Sequence, residues 1–220
     1  METIRLTTAT GGIAVNDFPE AVKVVRLEGP KAKRLSDLAL HRGDLAFAAT
    51  CLAQINLTQV DPPIARQALW RCAIIHYAKC FGDSESRFQL NADKVYARDP
   101  LAMLNFRYFL DLRNKHFVHD ENSYAQSIPG AVLNRGDKSY KIEKVVSLSA
   151  IAETLEQINY SNLDALIQKA LAWVTTDFDA LCGIITSELE KESYAALLAR
   201  PAISLTAPAV TDVGSKRNAP

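Results

Sequence analysis

The sequence predicts a mainly α-helical protein, a bundle of about four to five helices with one inserted β-hairpin. Three features of the 220-residue chain predict this fold class. Apolar residues recur at helical spacing over long stretches, Asp-Pro pairs stand where two of the helices begin, and one segment has the alternation and turn residues of a hairpin. A composition with 48% hydrophobic and 23% charged residues is that of a globular domain large enough to bury a core.

The first helix is predicted over residues 33–57, because Leu38, Leu45 and Leu52 follow one another at helical spacing. Residues 1–32 show no clear period, and they are interpreted as an irregular N-terminal segment that includes short strands or extended stretches. A second helix is predicted to start at Asp61-Pro62-Pro63, an N-cap followed by proline in the first turn, and to end at Gly82. Its apolar residues surround the axis, which predicts a central position.

Asp99-Pro100 repeats the start signal and predicts a third helix from Leu101 to about His119. The hairpin is predicted over residues 128–149, around the turn sequence Asn-Arg-Gly-Asp. Lys138, Lys141 and Lys144 predict either an edge strand that is protected by charge or a basic edge that contacts RNA. A long amphipathic helix follows through residues 163–189.

These elements define a helical domain over residues 33–200. Residues 201–220 are rich in Ala, Pro, Thr and Ser, and they are predicted to be a disordered tail.

Charge and composition exclude several classes of protein. The chain has 25 basic and 25 acidic residues, so its net charge of zero gives no general affinity for nucleic acid, and any such contact must be local. Neither a signal peptide nor a membrane span is apparent, which predicts a soluble, cytoplasmic protein that does not bind membranes. Four separated cysteines without a CxxC pair predict buried, reduced thiols, with no metal site, disulfide or cofactor.

The candidate site is the segment Arg-Asn-Lys-His-Phe-Val-His, residues 113–119, at the predicted end of the third helix. An imidazole titrates near neutral pH, and a guanidinium can hold a phosphate through two hydrogen bonds. On a regular α-helix His116 and His119 share a face. Arg113 and His119 are about 120° apart around the axis and roughly 9 Å apart along it, so they can meet at one phosphate only if the last turn loosens.

This segment resembles the R-x4-6-H motif of HEPN domains, the nucleotide-binding family of higher eukaryotes and prokaryotes that includes RNases of abortive infection, toxin–antitoxin and other phage-defence systems. Arg113, the polar residue Asn114 and His119 take the motif positions. The resemblance implies metal-independent cleavage of RNA by a homodimer, with a composite site where two motif helices face each other. A cognate antitoxin or other regulator is a further partner that the resemblance suggests.

On this interpretation the catalytic residues are Arg113, Asn114 and His119, and Lys115, His116 and Tyr124 bind the substrate. His119 accepts the proton of a ribose 2′-OH, Arg113 neutralises charge on the phosphate, and Asn114 or His116 orients the ring or the substrate. The products are a 2′,3′-cyclic phosphate and a 5′-OH. Some HEPN toxins have a tyrosine two residues after the histidine. This chain departs from that pattern, because it has Glu121 at that position.

Other interpretations of the segment remain open. Arg34/His41 and Arg71/His76 have the same loose spacing, but a polar residue follows neither arginine. In a non-catalytic helical interaction or nucleotide-binding protein, the cations of the segment would complement a helix C-terminus, and His116 would pair with Asp120. A metal site formed by His116, His119 and Asp120 is a third interpretation.

Overall fold

The computed structural model describes residues 6–9, 12–15, 18, 20–57, 63–119, 121–204 and 209–215, without the side chains of 6–9, 12–15 and Pro63. Over these residues the protein is mainly helical, with two separate two-stranded antiparallel sheets, which confirms the predicted fold class. The elements in chain order are β1 (Leu6–Ala9), β2 (Gly12–Val15), α1 (Pro30–Ala53), α2 (Pro63–Lys79), α3 (Ala92–Val95), α4 (Pro100–Leu112), a π-helix (Arg113–Val118), β3 (Ala125–Leu133), β4 (Ile142–Ile151), α5 (Gln157–Leu189), α6 (Tyr194–Ala199) and a 3₁₀ helix (Val210–Gly214).

The chain forms two compact units. Unit 1 comprises residues 1–41, 84–88 and 174–220, and unit 2 comprises residues 42–83 and 89–173. In unit 1, the α1 side chains Asp37 and His41 hold both backbone groups of Phe88: the amide of Phe88 donates to Asp37 Oδ2 over 3.4 Å, and His41 Nε2 donates to Phe88 O over 2.8 Å. Because both side chains are buried, this clamp replaces the water that they lose on folding.

Unit 2 holds the core beneath the candidate site. Its largest buried side chains are aromatic and come from α2, the turn after α3, and α4, and apolar residues of α5 are buried as well. These residues are Trp70, Tyr77, Tyr96, Phe106, Phe109, Leu163 and Ile167. The Tyr77 and Tyr96 hydroxyls form a buried hydrogen bond of 2.6 Å. Burial raises the pKa of both phenols, so both stay neutral.

The predicted helices are present, with shifted ends. α1 begins three residues earlier and ends four residues earlier than the predicted 33–57, and α2 ends at Lys79. The start signal Asp61-Pro62 lies outside the described residues. Two short helices, α3 and α6, were not predicted because four to six residues are too few to show a period.

The two chain ends contain structure that the sequence predicted only in part, as short strands or extended stretches within residues 1–32. The β1–β2 hairpin and the first turn of α1 lie within the segment predicted to be irregular. Val25 forms an antiparallel bridge with Ala202, and the Arg26 amide donates to Pro201 O over 2.8 Å. Residues 201–203 therefore pair with the rest of unit 1, which corrects the prediction that the disordered tail begins at residue 201.

The inserted hairpin is longer than predicted. β3 begins three residues before the expected range 128–149, and β4 ends two residues after it. All side chains of the two strands except Ala125 and Val146 are exposed. Among the described helices, none is long and apolar enough to cross a membrane.

Candidate functional site

Helix α4 positions the candidate site, and its start follows from the sequence. The Asp99 carboxylate accepts hydrogen bonds from the amides of Leu101 and Ala102, at 3.0 and 3.2 Å, and Pro100 occupies the first turn. The bond from the Ala102 amide lowers the pKa of Asp99 most. Lys169 and the Leu101 amide lower this pKa further. The helix buries Phe109 and Leu112 in unit 2, so its last turn has a defined orientation.

The motif itself forms a π-helix. The α-helix ends at Leu112, and the next six residues, Arg113–Val118, form i→i+5 hydrogen bonds in a wider turn. Such turns are rare, occur mostly as single turns at α-helices, and are frequent at functional sites. The wider turn covers six of the seven motif residues and ends next to His119, which corrects the predicted continuous α-helix to residue 119.

Arg113 and Asn114 lie together at the start of this turn. Arg113 Nη1 donates to Asn114 Oδ1 over 2.7 Å, and no carboxylate of the described chain pairs with the guanidinium. Asn114 is exposed and Arg113 is partly exposed. The predicted neighbour Lys115 is also exposed, but it forms an ion pair with Asp111 at 3.2 Å. This surface pair is weak, so Lys115 can leave it for another anion.

His116 lies inside unit 2 and not on the surface. Its side chain is 7% exposed, and its ring contacts Phe117 and, edge to face, Tyr124, with centroids 5.1 and 5.4 Å apart. Burial first, and then the neighbouring Tyr124 and Glu156, raise the pKa of Tyr108. His116 and Tyr124, both predicted to bind substrate, therefore support the turn from beneath.

His119 follows the π-helix in an extended conformation, with φ −130° and ψ 133°, and its side chain is exposed. The amide of Glu121 donates to the carbonyls of both Lys115 and His119 over 2.9 Å, which ties down the end of the turn. The prediction that His116 and His119 share a face is wrong, because the α-helical period was extended past the end of the helix. One imidazole is buried and the other faces solvent.

A cation that the sequence did not identify lies on a second helix and contacts the motif. The Arg71 guanidinium of α2 lies 5.0 Å from the centre of the Phe117 ring, a cation–π contact with the motif. In the sequence, Arg71 stands out only through its loose spacing to His76. That histidine instead bonds to Asp44, with 2.9 Å between Nδ1 and Oδ1. Only the packing of α2 on the π-helix identifies Arg71.

Beneath Arg71 and Phe117 is a narrow cavity with a free volume of about 10 Å³. That volume admits about one water molecule. It is lined by Gln67, Trp70, Arg71, His116, Phe117 and residues 152–155. A nucleotide cannot enter it, so a phosphate can reach the motif only at the exposed surface of Arg113, Asn114 and His119.

The described residues contain no group of three His, Cys, Asp or Glu side chains placed to hold a metal ion. Asp120, needed for the metal interpretation and for the His116–Asp120 pair, lies outside the described residues. The four cysteines are free, and Cys72 is exposed, which corrects the prediction that all four are buried.

Compared with known proteins, the chain matches no family model, no curated protein and no solved structure. The functional proposal therefore rests on the chemistry and geometry of the residues themselves.

Proposed function

We propose that the protein is a HEPN-like, metal-independent endoribonuclease whose reaction takes place at the surface formed by Arg113, Asn114 and His119. The observation that carries the proposal is the state of the polar groups at the two ends of the π-helix. The His119 imidazole is exposed and has no hydrogen-bond partner among the described residues, and Arg113 is held by a neutral amide and not by a carboxylate. A base and a cation are thus available to a substrate on one short segment.

In the proposed reaction His119 accepts the proton of a ribose 2′-OH. The 2′ oxygen forms a bond to the adjacent phosphorus while the bond from phosphorus to the 5′ oxygen breaks. The departing 5′ oxygen takes a proton from water, which leaves a 2′,3′-cyclic phosphate and a 5′-OH. Arg113 stabilises the extra negative charge on the phosphate oxygens, and Asn114 limits the directions in which the guanidinium can point.

The proposal includes two partners, RNA and a second copy of the chain. A single copy supplies one Arg113 and one His119, and the HEPN resemblance implies that two copies build the site together. A bacterial or phage-defence setting, with an antitoxin or other regulator, and a cytoplasmic location belong to the same proposal.

A non-catalytic interaction or nucleotide-binding protein is the second candidate. The burial of His116 and the contact of Arg71 with Phe117 favour it, because they show that part of the motif packs the interior of unit 2. In such a protein Arg113 and His119 would serve only to end the helix. Removal of either side chain would then change stability or partner binding. Neither the wild type nor the variant would cleave RNA.

The test is cleavage of end-labelled RNA in the presence of EDTA. His119→Ala is expected to lower the cleavage rate about 10²–10⁴-fold, the contribution of a general base, with unchanged thermal unfolding because the side chain is exposed. His76→Ala is the matched control, since it removes a histidine of the same loose spacing from another surface. Equal rates for wild type and His119→Ala, or no cleavage of a broad RNA panel by wild type, would refute the proposal.

A further inference from the structure

The β3–β4 hairpin has two edges without a neighbouring strand in the described residues, and these edges differ in chemistry. Within the described residues no third strand pairs with either edge. A hairpin of two strands is only marginally stable by itself. Several of its apolar side chains remain exposed to solvent, among them Ile128 at 61%, Val145 at 72%, Leu148 at 71% and Ile151 at 67%. Exposed apolar strands of this length mark a surface that binds another chain.

The register shows which backbone groups face the open edges. The Ala152 amide donates to Tyr124 O over 2.7 Å, and these two residues continue by one pair the register in which Ala125 lies opposite Ile151. Hydrogen-bonded and non-hydrogen-bonded pairs alternate along an antiparallel ladder. Leu148 therefore bonds to β3, whereas Ser147 and Ser149 direct their amides and carbonyls outward from β4.

The β3 edge is blocked for pairing and the β4 edge is open. Pro129 lies opposite Ser147, so its ring nitrogen, which carries no hydrogen, is on the outer side of β3. On β4 the predicted lysine protection reaches only Lys144. The seven residues 145–151, Val-Val-Ser-Leu-Ser-Ala-Ile, carry no charge and no proline.

We propose that the β4 edge pairs with β4 of a second copy of this chain, which produces a four-stranded antiparallel sheet across a two-fold axis at Leu148. In this register Ser147 lies opposite Ser149 of the second copy, and these two residues exchange backbone hydrogen bonds. Val145 then meets Ile151, and Leu148 meets Leu148. Each apolar side chain has an apolar partner and each serine a serine, and such self-complementarity is what an isologous two-fold contact requires.

The contact is small, so it produces an equilibrium between monomer and dimer. One strand edge with its side chains is less than the roughly 800 Å² that each partner contributes to a standard stable interface. The backbone hydrogen bonds and the apolar pairs favour the dimer at high protein concentration. This inference does not depend on the proposed ribonuclease activity, because none of its residues belongs to the motif.

Sedimentation velocity of the full chain over a range of concentrations tests the contact. Wild type is expected to shift from monomer to dimer as concentration rises. Ser147→Pro removes an outward amide and leaves pairing with β3 intact, so it is expected to associate more weakly than wild type at every concentration. Ser127→Pro, the matched control, changes an outward position on the β3 edge and is expected to behave as wild type. A monomeric wild type, or equal dimerisation of both proline variants, would overturn the proposal.

Disulfide trapping tests the register without proline. In a Cys72→Ser background, Leu148→Cys places two thiols opposite each other at the two-fold axis, where the Cα atoms of a non-hydrogen-bonded pair are about 4.5 Å apart, within disulfide reach. Ile128→Cys is the control, because three strand spacings put the two residues 128 about 14 Å apart. Copper–phenanthroline oxidation should link the first variant and not the second. Equal linking of both, or no linking of Leu148→Cys, would contradict the register.

Discussion

Thr154→Val is expected to destabilise unit 2, because it leaves a buried donor without an acceptor. The Trp70 indole Nε1–H donates to Thr154 Oγ1 over 3.0 Å, and the two residues are 2% and 7% exposed. Valine has nearly the same shape as threonine and carries no oxygen. The indole ring therefore keeps its place and its edge contact with Phe109, with centroids 6.0 Å apart, and loses only the hydrogen bond.

The size of the effect follows from the burial of the donor. An unsatisfied buried polar group costs about 1–3 kcal/mol. For a chain of this length 1 kcal/mol lowers the unfolding temperature by about 2–4 °C. The expected decrease in Tm is therefore about 2–12 °C. The Asn159 side chain bonds to the backbone carbonyl of residue 154, so that contact remains in the variant.

Thermal unfolding followed by circular dichroism and tryptophan fluorescence measures the change. Thr154→Ser keeps the hydroxyl and is the matched control, with an expected loss smaller than that of valine. In a Trp70→Phe background the donor is absent, so Thr154→Val should cost at least about 1 kcal/mol less than in wild type. An equal cost in both backgrounds would refute the assignment of the effect to the hydrogen bond.

Two further predictions concern pH. The pKa of Asp99 is lowered in the folded chain, so its charge stabilises the fold above about pH 4, the unfolded pKa, and the benefit disappears as pH falls through the folded value. Asp99→Asn should therefore unfold at a lower temperature than wild type at neutral pH and at the same temperature in strong acid, and an unchanged difference across pH would contradict this. Burial raises the pKa of Tyr77, so stability should fall as pH rises above about 10, the unfolded pKa. In Tyr77→Phe the free energy of unfolding, measured by urea titration, should fall less as pH rises. An equal fall in wild type and variant would contradict this.

The sequence predicted the elements whose signals are local. Asp99-Pro100 marked the start of α4, since an acceptor side chain followed by proline satisfies the first amides of a helix. The long apolar period of residues 163–189 identified α5, and Asn134 with its following residues identified the turn between β3 and β4. In each case the residues that specify the structure are neighbours in the chain.

The candidate site could be located from the sequence, and its geometry could not. Nothing in the order Arg-Asn-Lys-His-Phe-Val distinguishes i→i+5 from i→i+4 hydrogen bonds, because the wider turn is supported by contacts from elsewhere. Phe117 packs against Arg71, and His116 packs against Tyr124. Thr154 reaches Trp70 across 84 residues of chain. Such long-range contacts leave no periodic signal.

The chemical identity of the products tests the central claim most directly, because His119 can act as the proposed base only if a 2′-OH is present. An RNA with one 2′-deoxy nucleotide at a mapped cleavage site would be incubated with the protein in EDTA. We predict cleavage at unmodified sites, with 2′,3′-cyclic phosphate and 5′-OH ends, and no cleavage after the deoxy nucleotide. Cleavage after the deoxy nucleotide, or products with 5′-phosphate ends, would contradict the assignment of Arg113 and His119 to this reaction.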